Sequence, residues 1–109
     1  YNELLAGVNG VVCPKLRPET FHIFHLYVVR AARRDELAEF LKSKGVSTGV
    51  HYLTALPFMP AYRDLGHKAS DFPVAHAWQD EILSLPMYPE LTEAQILHVA
   101  DFVKEFYRA

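Results

Sequence analysis

The chain has 109 residues, half of them apolar, enough for one core that removes roughly two thirds of the unfolded surface from water. Eleven basic and thirteen acidic side chains leave a formal net charge of −2 with no cationic stripe, which argues against nucleic acid or an anionic membrane surface as a partner. The single cysteine, Cys13, excludes an internal disulfide framework and fits a reducing compartment, the cytoplasm, while no apolar run approaches the roughly 20 residues of a membrane helix.

Tyr1 to Ala6 reads like the last turns of a helix that begins upstream, so the chain is expected to be a fragment. Val11 to Glu19, VVCPKLRPE, predicts a short edge strand halted by Pro14, because proline lacks a ladder donor. Phe21 to Ala31 alternates, with Phe24, Leu26 and Val28 on one face and Ile23, His25, Tyr27 and Val29 on the other. Both faces are substantially apolar, so this strand is expected to be covered twice. Arg34 to Lys44 places Leu37, Phe40, Leu41 and Lys44 at helical spacing, and Gly45 stands where a left-handed cap belongs. Val46 to Tyr52 returns to a β pattern, which makes Phe21 to Tyr52 a predicted strand, helix, strand unit.

Pro60 to Leu65 predicts one or two turns before Gly66. A firmer helix is expected near Pro73, with Val74, Trp78, Ile82 and Leu85 on one stripe and Pro86 ending it. In the last helix Thr92 and Gln95 form a capping box, and Leu91 and Ile96 occupy hydrophobic-staple positions. Ile96, Val99, Ala100, Val103, Phe106 and Tyr107 line its apolar face.

Six histidines raise the question of a metal. On an extended segment His22 and His25 point to opposite faces and cannot clamp one ion, and a lone cysteine completes no ligand set, so ordinary core or surface histidines are the expectation. His67, His76 and His98 read as solvated turn or helix positions. Nothing near Cys13 in sequence lowers its pKa, so it is expected to be a small buried thiol. The five glycines form no phosphate-binding fingerprint. His51 and Tyr52 differ, because they directly follow a β run and open a loop, where a rigid element presents side chains to a ligand. A histidine satisfied by a backbone carbonyl is the competing reading. The loop beyond them carries Leu53, Leu56, Phe58 and Met59, an apolar set that needs a covering partner.

HLYVVR, GVSTGVHY, PAYRDLG and above all LSLPMYPELT resemble, in order and spacing, the C-terminal part of the DegT/StrS-type sugar aminotransferases. These are pyridoxal-phosphate enzymes that aminate nucleotide-linked keto-sugars. The resemblance spans almost the whole chain. It implies an α/β fold of the α+β kind: a small two-layer domain over residues 1–109, with a short mixed or antiparallel sheet flanked by helices. This would be the C-terminal part of a fold-type-I aminotransferase. The missing N-terminal domain would supply the lysine that bonds pyridoxal phosphate, the aspartate on its ring nitrogen and most of the phosphate cup. Lys15, Lys42, Lys44, Lys68 and Lys104 fall outside the family's lysine motif, so no catalytic residue, no metal and no bound cofactor is expected in this chain alone.

As the resemblance implies it, glutamate donates nitrogen to the cofactor and the sugar ketone collects it, with this domain positioning the nucleotide-sugar. The family's glycine-rich turn and His-Tyr pair land on Gly49, Val50, His51 and Tyr52, which makes His51 and Tyr52 the substrate-binding candidates. The apolar loop, with Ile23, Tyr27 and Val29, would then lie against the large domain or the second subunit of a homodimer. Many relatives follow His-Tyr with proline and then a leucine-histidine step. Here Leu53 follows Tyr52 and Pro57 follows Leu56, so contacts made by that histidine do not transfer. The rival reading is a free-standing small-molecule-binding or oligomerisation module.

Overall fold

A computed structural model describes residues 1–108. Its elements are β1 (Val11–Val12), β2 (Tyr27–Ala31), α1 (Arg34–Ser43), α2 (Pro73–Trp78), β3 (Ile82–Leu85) and α3 (Glu93–Arg108). Short 3-10 turns at Leu56–Phe58, Pro60–Leu65 and Ala69–Asp71 lie between α1 and α2. The sheet has the order β1-β2-β3, antiparallel throughout, with Val12 opposite Arg30 and Val29 opposite Leu83. The fold is therefore α+β with an antiparallel sheet, as the family resemblance implies.

One face of the sheet is the core. Tyr27, Val29 and Ala31 of β2 and Leu83 and Leu85 of β3 are buried there with Leu37 and Leu41 of α1 and Val99, Ala100 and Val103 of α3. Leu5, 1% exposed, joins them from a hydrogen-bonded turn at the start of the chain. The period-2 burial of β2 and the i, i+4 burial of α1 are the two periodicities on which the elements rest.

Both α1 and α3 form where their sequence signals stand. Gly45 has φ 78° after α1, and its N–H donates to the Lys42 carbonyl oxygen. At α3 the Thr92 N–H donates to Gln95 Oε1 at 2.9 Å, and the Gln95 N–H returns a bond to Thr92 Oγ1 at 3.3 Å. The short edge strand at Val11 and the turns before Gly66 also form.

Three expectations need correction. The strand expected from Phe21 begins only at Tyr27, and the preceding residues form a loop in which Phe24 has φ 47°. The left-handed backbone at Phe24 departs from the extended geometry of a strand, and the ladder with β3 ends at the pair Tyr27–Leu85. Tyr27 and Val29 consequently face this domain's own core rather than an outside partner.

The helix expected to run from Pro73 through Leu85 stops at Trp78, and Ile82–Leu85 is strand β3. Its helical-looking stripe gives way because antiparallel pairing with β2 seats Leu83 and Leu85 in the core, a contact that local periodicity does not encode.

The strand expected at Val46 to Tyr52 reduces to a single bridge between Gly49 and Ser84. Of the β3 groups turned away from β2, the Ile82 carbonyl oxygen is held by the buried Arg34 guanidinium at 3.0 Å, and Pro86 has no donor. Ser84 alone exchanges both backbone bonds, at 3.1 and 2.7 Å. Among the described residues no helix is long and apolar enough to cross a membrane.

Candidate functional site

The second face of the sheet carries Val28 and Arg30 of β2 with Ile82 and Ser84 of β3, and it is only partly covered. Trp78, at the end of α2, stands over this face. The Arg30 guanidinium lies 4.8 Å from the Trp78 ring centroid and pairs with Glu81 at 3.3 Å. On the far side of Trp78 opens a groove of roughly 730 Å³.

His51 and Tyr52 both line that groove, in a turn directly after the Gly49–Ser84 bridge. The peptide bond between them is cis. His51 Nδ1 lies 2.9 Å from Ser84 Oγ, and the Ser84 side chain is buried. The ring also lies over Gly49, where a β-carbon would stand 2.8 Å from His51 Cε1, so no larger residue fits while the ring keeps this place. Tyr52 is 72% exposed, its ring edge-on to His51 with centroids 5.7 Å apart.

The opposite wall is held by Gln79, whose Oε1 accepts the Ala55 N–H at 2.9 Å and ties the apolar loop to the end of α2. Gln79 is itself anchored: its carbonyl oxygen accepts from Arg34 Nη1 at 3.4 Å. Arg34 thus fixes the turn between α2 and β3 on which one side of the groove is built. Leu53, Leu56 and Met59 complete an apolar rim. Among the described residues that line the groove none carries a formal charge, and its polar groups are the side chains of His51, Tyr52, Thr54 and Gln79 with the indole N–H of Trp78. A surface of this kind offers neutral hydrogen bonds and apolar contact, which suits a hydroxylated, uncharged group better than a phosphate.

The sequence reading singled out His51 and Tyr52, and the structure brings them together in this groove. It missed Ser84, Gln79 and Arg34, and it placed Trp78 on one helical stripe with Ile82 and Leu85, although the helix ends at Trp78, which is 45% exposed. Ser84 left one signal, a lone hydroxyl inside the apolar run Ile82 to Leu85. The other histidines stay apart from the site. The segment carrying His22 and His25 is not extended, so the argument from opposite faces does not apply; instead His22 Nδ1 accepts the Phe24 N–H at 2.9 Å. Among the described residues no group of three or more His, Cys, Asp and Glu is placed to hold a metal ion. Cys13 is half-buried rather than buried.

A three-stranded antiparallel sheet with two helices on one face and an uncharged groove on the other defines a small two-layer α+β domain. A model of the DegT/DnrJ/EryC1/StrS aminotransferase family matches residues 1–104, and the chain belongs to that family. It is 44% identical over 110 residues to a pleiotropic regulatory protein of Geobacillus stearothermophilus, covering 99% of this chain and 30% of that protein. It is 37% identical over 102 residues to the dTDP-3-amino-3,4,6-trideoxy-alpha-D-glucose transaminase of Streptomyces venezuelae, covering 94% of this chain and 27% of that one. The crystal structure of S. venezuelae DesV in complex with a ketimine intermediate superposes with a TM-score of 0.94 at 35% identity, over 99% of this chain and 29% of DesV. The chain thus spans under a third of the length of the relatives it matches.

Among the described residues no lysine lines the groove; Lys44 pairs with Glu105 at 3.0 Å and Lys104 with Asp101 at 3.3 Å. These residues by themselves do not fit a covalently held pyridoxal phosphate.

Proposed function

We propose that residues 1–109 form the substrate-positioning small domain of a cytoplasmic, pyridoxal-phosphate-dependent aminotransferase that acts on nucleotide-linked keto-sugars, with glutamate as amino donor. The observation that carries this reading is the family match running unbroken from residue 1 to 104, through the segment that forms the His51–Tyr52 groove. The transaminase named for the S. venezuelae relative supports a dTDP-sugar as substrate class. The lysine and the phosphate cup come from a larger domain outside these residues, which agrees with the coverage of under a third and with a groove that lacks lysine.

Within that assembly His51 and Tyr52 hydrogen-bond the sugar's oxygens, each bond worth about 0.5 to 1.5 kcal/mol, enough to orient a substrate and too little to account for catalysis. The uncharged lining supports a sugar in this groove, with the diphosphate held at a cationic site elsewhere. Phe21, 92% exposed, and Ile23, 80% exposed, lie with Leu53 and Leu56 against the larger domain or the second subunit of a homodimer.

The direct test is to supply the full-length protein with pyridoxal phosphate, glutamate and a dTDP-linked keto-sugar, and to read product mass. Amino-sugar formation is expected, and its absence with every keto-sugar offered sinks the activity. The 109-residue chain alone, mixed with pyridoxal phosphate and treated with borohydride, is expected to yield no stoichiometric adduct. A stable adduct places a reactive lysine here and contradicts the division of labour.

A further inference from the structure

We infer that Ser84 is a positioning residue that sets the tautomer of His51, so that His51 presents an Nε2–H donor to an oxygen acceptor in the groove. The ligand half of this inference rests on the sugar-binding reading; the tautomer half does not.

The geometry begins with β3. Alternation along the strand sends Leu83 and Leu85 into the core and Ser84 to the other face, opposite Val28. There Ser84 is 5% exposed, and among the described residues the partner of its hydroxyl is His51 Nδ1 at 2.9 Å. A serine hydroxyl has one proton to place, and buried donors in folded proteins are placed on an acceptor. If Nδ1 carried the hydrogen and donated to Ser84 Oγ, the serine proton would have no acceptor in a buried position. If Ser84 donates to a bare Nδ1, both groups are satisfied and the neutral ring carries its hydrogen on Nε2. Gly49 reinforces the placement, since its two backbone bonds to Ser84 and the ring packed over its α-carbon lock the histidine against the strand end.

The two imidazole nitrogens diverge, so with Nδ1 turned to the buried hydroxyl, Nε2 is directed away from the sheet, on a side chain that is exposed and lines the groove. The site then discriminates by hydrogen-bond polarity. The ligand atom that meets Nε2 must offer a lone pair, as a sugar ring oxygen, carbonyl or hydroxyl oxygen does. A group that can only donate, such as an ammonium, leaves the Nε2 hydrogen without an acceptor and is disfavoured.

The test uses the full-length protein labelled with nitrogen-15 histidine, with the His51 signals assigned by their loss in His51→Gln. Long-range proton–nitrogen correlation at a pH where the ring is neutral is expected to show hydrogen on Nε2 only. Ser84→Ala, which removes the hydroxyl without adding volume, is expected to give a mixture of tautomers, and Ser84→Thr, which restores a hydroxyl, to return the single form. Hydrogen on Nδ1 in the parent protein, or an unchanged single Nε2–H form in Ser84→Ala, overturns the inference. In parallel, Ser84→Ala is expected to raise KM for the keto-sugar about two- to tenfold, the range set by one neutral hydrogen bond, with the glutamate half-reaction unchanged. Altered tautomers with an unchanged sugar KM support Ser84 as the residue that sets the ring, and they overturn the assignment of the sugar to His51.

Discussion

Gly49 lies beneath the ring of His51 so closely that a β-carbon at that position would come within 2.8 Å of the ring. The two residues therefore specify one another across a single turn: the glycine makes room, and the histidine uses the room to reach Ser84. Gly49→Ala is expected to swing the exposed ring off Ser84, costing about 1 kcal/mol in urea denaturation, the worth of one hydrogen bond, while weakening the sugar KM as much as His51→Ala does. A Gly49→Ala protein with an unaltered KM would show that the ring's place is unimportant.

The buried guanidinium of Arg34 accounts for the turn that builds the groove's second wall. Arg34→Met keeps the apolar stem but leaves the carbonyl oxygens of Gln79 and Ile82 without this donor, and about 2 to 3 kcal/mol of stability is expected to go. Amide exchange should quicken first around residues 79–82. Loss spread evenly over the chain would mean that Arg34 acts on the whole core instead.

Much of this fold was legible because its signals are local. The Thr92–Gln95 box, the Gly45 cap and the i, i+4 apolar rows of α1 and α3 each lie within a few residues of what they determine. The misread elements all depend on pairing across the chain. Ile82 to Leu85 is a strand because β2, more than fifty residues earlier, stands beside it, and Phe21 to Leu26 is a loop that the β2–β3 ladder, ending at Tyr27 and Leu85, does not reach. The site divides in the same way: His51 and Tyr52 were visible from their place at a loop mouth, whereas Ser84 and Gln79 became functional candidates only when the turn after Gly49 and the end of α2 brought them to it.

The strand assignment of β3 has its own test. Leu83 is fully buried, so Leu83→Ala is expected to cost about 2 to 5 kcal/mol, whereas Leu97→Ala on the outer side of α3, 39% exposed, should cost well under half as much. Urea midpoints at constant slope give the comparison. Equal costs would contradict the inward placement of Leu83.

Alkaline pH reaches the fold through its tyrosines. Burial, with Glu36 adding to it and Arg33 opposing, pushes the Tyr107 phenol from 10 up to about 12, and its hydroxyl donates to the Ala32 carbonyl oxygen. Burial, followed by the neighbouring Tyr88, raises Tyr1 to about 12 as well. The folded state keeps these protons where the unfolded state loses them, so their contribution is complete below pH 10 and is lost as pH rises toward 12. Stability should therefore fall across that window, and fall less steeply in Tyr107→Phe. Identical slopes in parent and variant would contradict the assignment of this phenol.

The central claim, that this domain places the sugar and leaves the nitrogen chemistry to residues beyond it, is tested most directly by separating the two half-reactions in stopped flow. In the full-length protein His51→Ala and Tyr52→Phe are expected to slow the step with keto-sugar severalfold while the step with glutamate keeps its rate. Equal slowing of both would move the pair from substrate placement to cofactor or structural support and contradict the account.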